Sequence, residues 1–539
     1  MCRLYHVCCT ALLFFYLCCI LYAQEDCFNI YQPKGSGGKY HNNFSQLNYV
    51  DITAKKGGKV EFGIVGNIET LNPYGIVGIQ PKEYLLLSYD SLFFVPLDDV
   101  NIFLPLLAKS ACILDGKKEV VITLNNMAKW NDGSNIKSVD VVFTIEYAKQ
   151  QGLPYYRNLL KDVRAVILDN YRIQIIADTI INDDTLNTIF SMPIISKKYW
   201  EHINSLTPTL NNPIVSGGYA VADVVYGKNI KFIKRDDYWA KDLPVRIGTF
   251  NVGEIVYHYA IAKQGLKGLP LDLVQIEDAK SIYNTHVLAV AKISDSRILP
   301  FKGLIFNTIG VLKNKELREA IYNLYDFAKV KKTLLNDNTK QFSSLFTGSN
   351  FYRESTIKHI NINKTLDTVY YKLNELGYNI NNPLVLTIVF KNQQTLQENI
   401  SFLYNLKKVG ITTKVILGSL LEYKKIKENK SFDIIEDDYI FANPPSAELL
   451  LYFVNQSTYN SSAIFDSKIN SLVNKIVNNN GNTVSLLKKL DEELFNKRIF
   501  IPLYYEQHAY YKVRPNIIIP SVKYNVGIDV TTIHISEQP

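Results

Sequence analysis

The sequence has 539 residues, of which 47% are hydrophobic and 20% are charged, and its formal net charge is +8. This composition excludes a disordered chain, and the length corresponds to about two to four domains. The basic residues are spread along the chain and their longest clusters are pairs and triplets, which excludes the continuous basic stripe of a nucleic-acid-binding protein.

The N-terminus has the order of regions found in a secretory signal. Arg3 precedes an apolar run over residues 7–21, and Ala23 supplies a small residue at a cleavage site before the polar Gln24. The run is shorter than the roughly 20 residues of a spanning helix. We predict a signal peptide over 1–23 and a periplasmic location. An uncleaved N-terminal anchor is the alternative.

Five of the seven cysteines lie in this signal, so the mature chain keeps only Cys27 and Cys112. An oxidising compartment would permit a disulfide between them, but sequence spacing does not decide whether they pair. No cysteine follows a lipobox-like pattern, so we predict no lipid anchor.

The first half of the chain alternates between strand and helix patterns. The patterns predict strands over 59–66, 171–178 and 254–261, a strand running into a turn over 119–134, a hairpin over 214–239, helices over 83–97 and 138–152, and a strand edge followed by a short helix over 190–200.

Two aspartates in residues 128–143, AKWNDGSNIKSVDVVF, are candidates for either chemistry or architecture. Asp132-Gly133 is typical of a turn that ends a strand. Ser138 is the expected N-cap of the next helix, and Asp140 lies in its first turn, where a negative charge suits the helix dipole. We therefore interpret both aspartates as architectural.

A second unit begins near residue 290. The strand, helix and strand that follow one another from 383 to 418 predict a parallel pair with a crossover helix. The other predicted elements are strands over 302–308, 432–439 and 499–513, a long helix over 314–335, and helices in KINSLVNKIVNN and SLLKKLDEELFNK.

No catalytic signature is present in the sequence. The eight histidines are dispersed, and neither a His-Glu-x-x-His pattern nor a Gly-x-Ser-x-Gly elbow occurs. We predict a protein that is not an enzyme and has no cofactor and no metal site.

Several stretches match one family in order. They are GNIETLNPYG, YDSLFF, LNNMAKWNDGSNIKSVDVVFT, SGGYAV, IKFIKRDDYWAKDLP and IFNT followed by NKELREAIYNLYDF. The series resembles the family 5 extracellular solute-binding proteins, the peptide-binding subunits of ABC importers. DLPVRIGTFNVGEIVYHY, LLKKLDEELFNKRIFIPLYY and ANPPSAELLLYF are similar to the branch that binds microcin C and other oligopeptides. Gly218 replaces the usual proline of the Ser-Gly-Pro-Tyr turn.

The resemblance implies an α/β fold with two lobes, like the periplasmic binding proteins (type II, large cluster C form), with an extra subdomain in the first lobe. The implied boundaries are 24–72, 208–290 and 500–539 for the first lobe, 73–207 for the inserted subdomain, and 291–499 for the second lobe. The implied partners are a peptide or peptide-like ligand and an ABC transporter permease and ATPase. We expect a monomer that binds no nucleic acid.

The same resemblance implies candidate ligand contacts. Gly78 would permit close approach of a peptide backbone, and Ile79 would supply backbone groups for strand-like pairing. A buried peptide amine needs a carboxylate, for which Asp437, Asp438 and Glu448 are candidates. Tyr156 and Tyr505 are candidate aromatic walls; a plain surface loop, solvated acids and ordinary packing are the alternatives.

Three other functions stay open at this stage. The same fold could bind a non-peptide solute such as a sugar, haem or a metal chelate. A secreted hydrolase with dispersed acidic catalysts and an exported chaperone or adhesin are the remaining possibilities.

Overall fold

The computed structural model describes residues 26–32, 38–81, 83–99, 102–260, 263–276, 289–294, 301–334, 339–346, 362–418, 420–441, 445, 448–454, 459–478, 483–506, 508–520 and 528–536. The predicted signal peptide lies outside these residues. Within them, no helix has both the length and the apolar character needed to cross a membrane. The chain divides into two compact units, Met1–Ala291 with Tyr510–Pro539 and Lys292–Ala509.

The strands are short and are numbered in chain order. Those up to residue 294 are β1 Asp26–Phe28, β2 Lys59–Val65, β3 Phe93–Phe94, β4 Leu104–Pro105, β5 Ala108–Leu114, β6 Glu119–Leu124, β7 Val163–Asp169, β8 Arg172–Ala177, β9 Tyr219–Val225, β10 Asn229–Lys234, β11 Glu254–Ala260, β12 Leu273–Ile276 and β13 Ala289–Ser294. The later ones are β14 Phe301–Phe306, β15 Thr339–Gln341, β16 Val385–Phe390, β17 Thr412–Leu417, β18 Ile434–Tyr439, β19 Phe500–Pro502, β20 Tyr504–Glu506, β21 His508–Val513, β22 Ile517–Ile518 and β23 His534–Ile535.

The α-helices lie between these strands. They are α1 Tyr84–Ser88, α2 Ser138–Gln151, α3 Pro154–Leu160, α4 Asp183–Ser191, α5 Lys197–Trp200, α6 Lys315–Asn323, α7 Phe327–Leu334, α8 Ile362–Glu375, α9 Gln393–Glu398, α10 Ile400–Lys408, α11 Leu420–Glu428, α12 Glu448–Phe453, α13 Ser467–Val477 and α14 Val484–Asn496.

The main sheet of the first unit has the order β13-β21-β12-β2-β11-β10-β9. β2 and β11 are parallel, and β9, β10 and β11 form an antiparallel meander, which confirms the predicted hairpin. Alternate residues of β2, Val60 and Phe62, are buried, and the Phe62 ring stacks on Tyr257 at 4.7 Å between centroids. One face of this sheet is therefore an apolar core face.

A second sheet, of order β1-β5-β6-β8-β7, lies within the stretch predicted as an inserted subdomain, apart from its first strand. Residues 26–28 were assigned to the first lobe itself, but they pair with β5 here. Cys27 lies opposite Cys112 in that ladder, and the two form a disulfide. The sequence assignment of residues 26–28 was wrong because one three-residue strand carries no signal of its partner.

The structure gives both aspartates of residues 128–143 an architectural role. Asp132 accepts hydrogen bonds from the Ser134 backbone N–H (3.0 Å) and from Lys198 Nζ (2.9 Å). Asp140 accepts from the backbone N–H groups of Lys137 and Lys197, both at 3.0 Å. Asp140 therefore caps the starts of α2 and α5 together. Ser138 is not the N-cap as predicted, since it is helical and its hydroxyl donates to the Arg172 carbonyl at 3.2 Å.

The predicted helix over 83–97 shrinks to the five residues of α1. Beyond it Tyr89 is extended, Ser91 bridges to Pro193, and β3 pairs with β4. The run is apolar on every side because it is buried, and long-range pairing decides its conformation.

The sheet of the second unit has the order β17-β16-β18-β14-β19. β16 is parallel to both β17 and β18, which confirms the predicted crossover, and β14 is antiparallel to β18. Neighbouring residues alternate between two buried clusters, so that Ile434 belongs to one and Ile435 to the other. Both faces of this sheet are therefore buried.

The long helix predicted over 314–335 is two helices, α6 and α7. The Asp326 carboxylate accepts the Lys329 backbone N–H at 3.0 Å and starts α7 afresh. The Leu324 carbonyl accepts the Asn405 side-chain amide at 2.9 Å, so the break is held by another element of the unit. Because helical periodicity continues across the break, the sequence pattern does not reveal it.

The second boundary of the second lobe was predicted at residue 500. Residues 500–509 belong to the second unit, because β19 pairs with β14 and β20 pairs with β15. The chain returns to the first unit only in β21, where Val513 lies opposite Leu273. One strand-like run over 499–513 thus contains strands of different sheets.

Candidate functional site

The loop that follows β2 carries the predicted contacts Gly78 and Ile79. The Glu69 carboxylate closes this loop by accepting the Asn67 side-chain amide at 2.9 Å and the Ile79 backbone N–H at 3.2 Å. Gly78 has φ +90°, and a Cβ there would lie 3.0 Å from Thr70 Cγ2. Glycine is required at this position for both its backbone angle and its space.

The backbone of Ile79 is already hydrogen-bonded within the loop. Its carbonyl accepts the backbone N–H groups of Glu69 (2.8 Å) and Thr70 (3.2 Å), and its own N–H donates to the Glu69 carboxylate. The structure therefore does not leave these groups for strand-like pairing with a peptide. What the loop does present to solvent is the side chains of Ile79 and Val77.

More exposed apolar side chains lie at the same edge of the first unit's main sheet. Val65, at the carboxyl end of β2, is 50% exposed, and Tyr226, in the β9–β10 turn, is 62% exposed. The Gly227 N–H donates to the Ile68 carbonyl at 3.0 Å, which holds this turn against the loop. The carboxyl ends of strands are the usual ligand edge of open α/β sheets.

Tyr156 packs on the same loop from α3. Its ring meets Tyr74 edge-on at 5.2 Å, and Tyr74 belongs to the Asn72–Gly75 turn. Burial raises the pKa of Tyr156 to about 12. The structure thus brings Tyr156 to the loop of Gly78, as a neutral, partly buried ring.

The predicted acids of the second unit alternate along β18. Asp437 is buried, and its Oδ2 lies 2.6 Å from Lys427 Nζ. Asp438 points to the other face, where its carboxylate lies 2.6 Å from Lys391 Nζ. Both carboxylates therefore have a cation from their own unit.

Glu436 shares the face of Asp438. Its carboxylate accepts the Lys391 backbone N–H at 3.1 Å, and burial raises its pKa. Its carboxylate therefore holds the start of the loop that follows β16.

Glu448 and Tyr505 complete the predicted set. Glu448 is buried at the start of α12. Burial, together with the carboxylates of Glu448 and Asp437, raises the pKa of Tyr452 to about 12, so both acids lie near that ring. Tyr505, on β20, packs against Phe342 at 4.9 Å between centroids and lies against the same buried cluster as Tyr452.

The first unit also contains a buried cluster around Asp90, called the Asp90 node below, which no sequence pattern predicted. Asp90 accepts hydrogen bonds from the Tyr238 hydroxyl (2.8 Å), Trp239 Nε1 (3.0 Å) and Arg246 Nη2 (3.0 Å). The Arg246 guanidinium also lies 4.7 Å from the centroid of the Phe94 ring. These residues come from YDSLFF and from IKFIKRDDYWAKDLPVR, so the stretches that carry the family resemblance meet in space.

Potential metal ligands are dispersed. In the part of the chain that the structure describes, no three His, Cys, Asp or Glu side chains are grouped so that they could hold a metal ion.

A model of a known protein family matches a long central part of the sequence. The model of the bacterial extracellular solute-binding proteins, family 5 Middle, matches residues 103–461. The chain belongs to this family. Asp90 and the loop of Gly78 lie before the matched range, whereas the partners of Asp90, together with β18 and its lysine partners, lie inside it.

Relatives from two bacteria align over nearly the whole chain. "Uncharacterized protein YejA" of Escherichia coli (strain K12) is 24% identical over 554 residues, which cover 91% of both chains. "Probable peptide-binding protein YejA" of Agrobacterium fabrum is 23% identical over 568 residues, again covering 91% of both.

Solved structures share the fold. The oligopeptide-binding protein AppA from Bacillus subtilis, in complex with a nonapeptide, has a TM-score of 0.74 at 16% identity, covering 90% of this chain and 100% of AppA. NikA from Brucella suis, in complex with Fe(III)-EDTA, has a TM-score of 0.68 at 17% identity, covering 85% and 96%. The fold is that of the two-lobed periplasmic binding proteins, as the sequence predicted.

Proposed function

We propose that this solute-binding protein captures peptides or peptide-like compounds outside the cytoplasm and delivers them, chemically unchanged, to an ABC transporter. The family match over residues 103–461 is the observation that carries the proposal. The name of the Agrobacterium relative and the nonapeptide of AppA favour peptides over other solutes.

Export to the periplasm is part of the proposal. The order of charged, apolar and small residues over 1–23 supports a signal peptide. The disulfide between Cys27 and Cys112 supports it independently, because disulfides persist in oxidising compartments.

In the first unit we propose that the ligand lies against apolar side chains. Val65, Val77, Ile79 and Tyr226 are exposed at one edge of the sheet, and the loop beneath them is held by Glu69. A peptide covering these side chains would remove apolar surface from water, which favours binding at roughly 25 cal/mol per Å². Tyr156, Glu448 and Tyr505 stay as predicted contacts.

Isothermal titration of the mature chain, residues 24–539, against a pool of random peptides tests the ligand class. We expect heat of binding and recovery of bound peptides. If no peptide binds while a sugar, haem or a metal chelate binds tightly, the ligand is a non-peptide solute. Turnover of a peptide or glycoside library would instead indicate a hydrolase.

A double variant tests whether the ligand contacts this edge of the sheet. The protein that carries both Val77→Ser and Tyr226→Ser should bind peptide about tenfold more weakly, equivalent to about 1.4 kcal/mol. Met127→Ser is the matched control, since Met127 is an exposed apolar residue of the same unit away from this edge. Equal affinities in the three proteins would contradict the assignment of the edge.

A further inference from the structure

The environment of Asp437 has the chemistry of an ammonium-binding site. Its Oδ2 accepts the Ser461 hydroxyl. The Tyr423 hydroxyl lies 3.1 Å from Asp437 Oδ1 and shares its one proton with the Glu436 carbonyl, at 2.6 Å. The Tyr459 ring faces the same point from the segment that follows α12. A carboxylate, hydroxyl groups and an aromatic face are the groups that recognise a primary amine.

This site is filled by the chain itself. The Lys427 ammonium lies 2.6 Å from Asp437 Oδ2 and 5.7 Å from the centroid of the Tyr459 ring. The side chains are 17% and 5% exposed for Lys427 and Asp437. Lys427 therefore carries its amine from the surface of α11 to a nearly buried carboxylate.

The pair is built from a short, ordered connection. Tyr423 and Lys427 are four residues apart on α11, so both reach the same face. The turn that leads to β18 is held by the Ser431 N–H, which donates to the Ile426 carbonyl at 3.1 Å. Because α11, the turn and β18 are consecutive, the pair stays intact in any movement of the second unit as a body.

A ligand would gain little by displacing Lys427. Displacement would exchange one ammonium for another at the same carboxylate and would leave the lysine without its partner in a mostly buried place. On the other face of β18, Asp438 pairs with Lys391, but these side chains are 31% and 28% exposed. A partly exposed ion pair contributes little to stability, so the cost of displacing a lysine applies to Asp437.

We propose that Lys427 is the built-in occupant of this amine site, so that Asp437 cross-links the second unit and does not bind the amino end of a ligand. The inference rests on the proposed function for its consequence, which is that Asp437 contributes nothing to any preference between free and acylated peptides, whereas Asp438 and Glu448 stay as predicted contacts.

The first experiment compares one bound peptide in two forms, with a free and with an acetylated amino end. Titration of the wild-type protein and of Asp437→Asn gives the ratio of the two dissociation constants in each protein. The ratio should agree within fivefold between the two proteins. A larger change of the ratio in Asp437→Asn would overturn the proposal.

The second experiment needs no ligand. Urea unfolding midpoints are measured for Lys427→Met, Asp437→Asn and the double variant, with Lys391→Met as a control of equal charge change at the other face. Lys427→Met and Asp437→Asn should each unfold at a lower urea concentration than the wild type. The double variant should be more stable than the sum of the two single effects allows, because neither charge is then left alone.

Strict additivity of the two substitutions would show that the pair is no cross-link. If Asp437→Asn does not fold, the variant Lys427→Ala is used instead, and ethylammonium is added in place of the missing amine. Ethylammonium should raise the melting temperature of Lys427→Ala and leave that of the wild type unchanged. Equal responses would overturn the proposal. If no peptide binds to any protein, the proposed function fails, while the unfolding data still decide this inference.

Discussion

The two units use a buried acid in different ways. In the first unit, Asp90 is bonded to Arg246, 156 residues later, and to an aromatic pair between them. In the second unit, Asp437 is bonded to Lys427, ten residues earlier. The first arrangement joins distant segments through a planar, fully buried guanidinium, and the second pins a helix to the next strand. An ion pair thus joins segments that are distant in sequence in the first unit and neighbouring segments in the second.

The tryptophans make the two units separately observable. All three, Trp130, Trp200 and Trp239, lie in the first unit. Tryptophan fluorescence therefore reports unfolding of the first unit, whereas far-ultraviolet circular dichroism reports both.

The largest effect on stability is expected at the Asp90 node of the first unit. Asp90→Asn leaves the Arg246 charge buried without its carboxylate, and we expect a loss of about 4 kcal/mol in the free energy of unfolding. The loss should appear in the fluorescence transition under urea. Asp236→Asn is the control, because that side chain is 99% exposed. A shift no greater than that of the control would remove the contrast between the units.

The disulfide is the next largest cross-link of the first unit. Cys27→Ser with Cys112→Ser opens a loop with a sequence separation of 85 residues, and we expect a loss of about 3 kcal/mol. A reductant should lower the fluorescence midpoint of the wild type to that of the variant. If the reductant also lowers the midpoint of the variant, its effect does not come from this bond.

Loss of the local pair should be smaller. Lys427→Met leaves Asp437 with the Ser461 hydroxyl donor and a share of the Tyr423 hydroxyl, and Lys427 is partly exposed, so we expect a loss of about 2 kcal/mol in the free energy of unfolding. The dichroism transition should shift and the fluorescence transition should not. An equal shift in both signals would mean that the units unfold together.

Asp140, which caps the starts of α2 and α5, is a second buried acid of the first unit. Asp140→Ala removes the acceptor of two backbone N–H groups, and a loss of about 1 kcal/mol is expected in the fluorescence transition. Asp140→Asn keeps one acceptor oxygen and should lose less. A reversed order of the two variants would contradict the capping role.

The smallest effect is a pH dependence in the second unit. Burial and the neighbouring charge of Lys427 lower the pKa of Lys430 to about 8, from 10.5. Between these values the unfolded chain binds the proton more strongly, so stability should rise with pH from 8 to 10.5, by on the order of 1 kcal/mol given partial exposure. Lys430→Gln should flatten the rise seen by dichroism. An unchanged slope would mean that other groups cause it.

The sequence predicted those elements whose conformation depends on their own residues. The β9–β10 hairpin follows from alternating residues around a Tyr-Gly-Lys-Asn turn, and α2 from its helical periodicity. The break between α6 and α7 was not readable, because Asn405, some 80 residues later, holds the Leu324 carbonyl. The candidate acids were readable as acids, but their lysine partners were not.

The sequence by itself determined the family, the fold class and many of the longer strands, because ordered motifs and side-chain periodicity are local properties. The tertiary structure alone decided which charges meet. Asp90 joins Arg246 across 156 residues, Cys27 reaches Cys112, and Lys427 neutralises Asp437. A buried charge is stable only with a partner, and the partner is chosen by the packing of whole elements, which no single stretch of sequence contains.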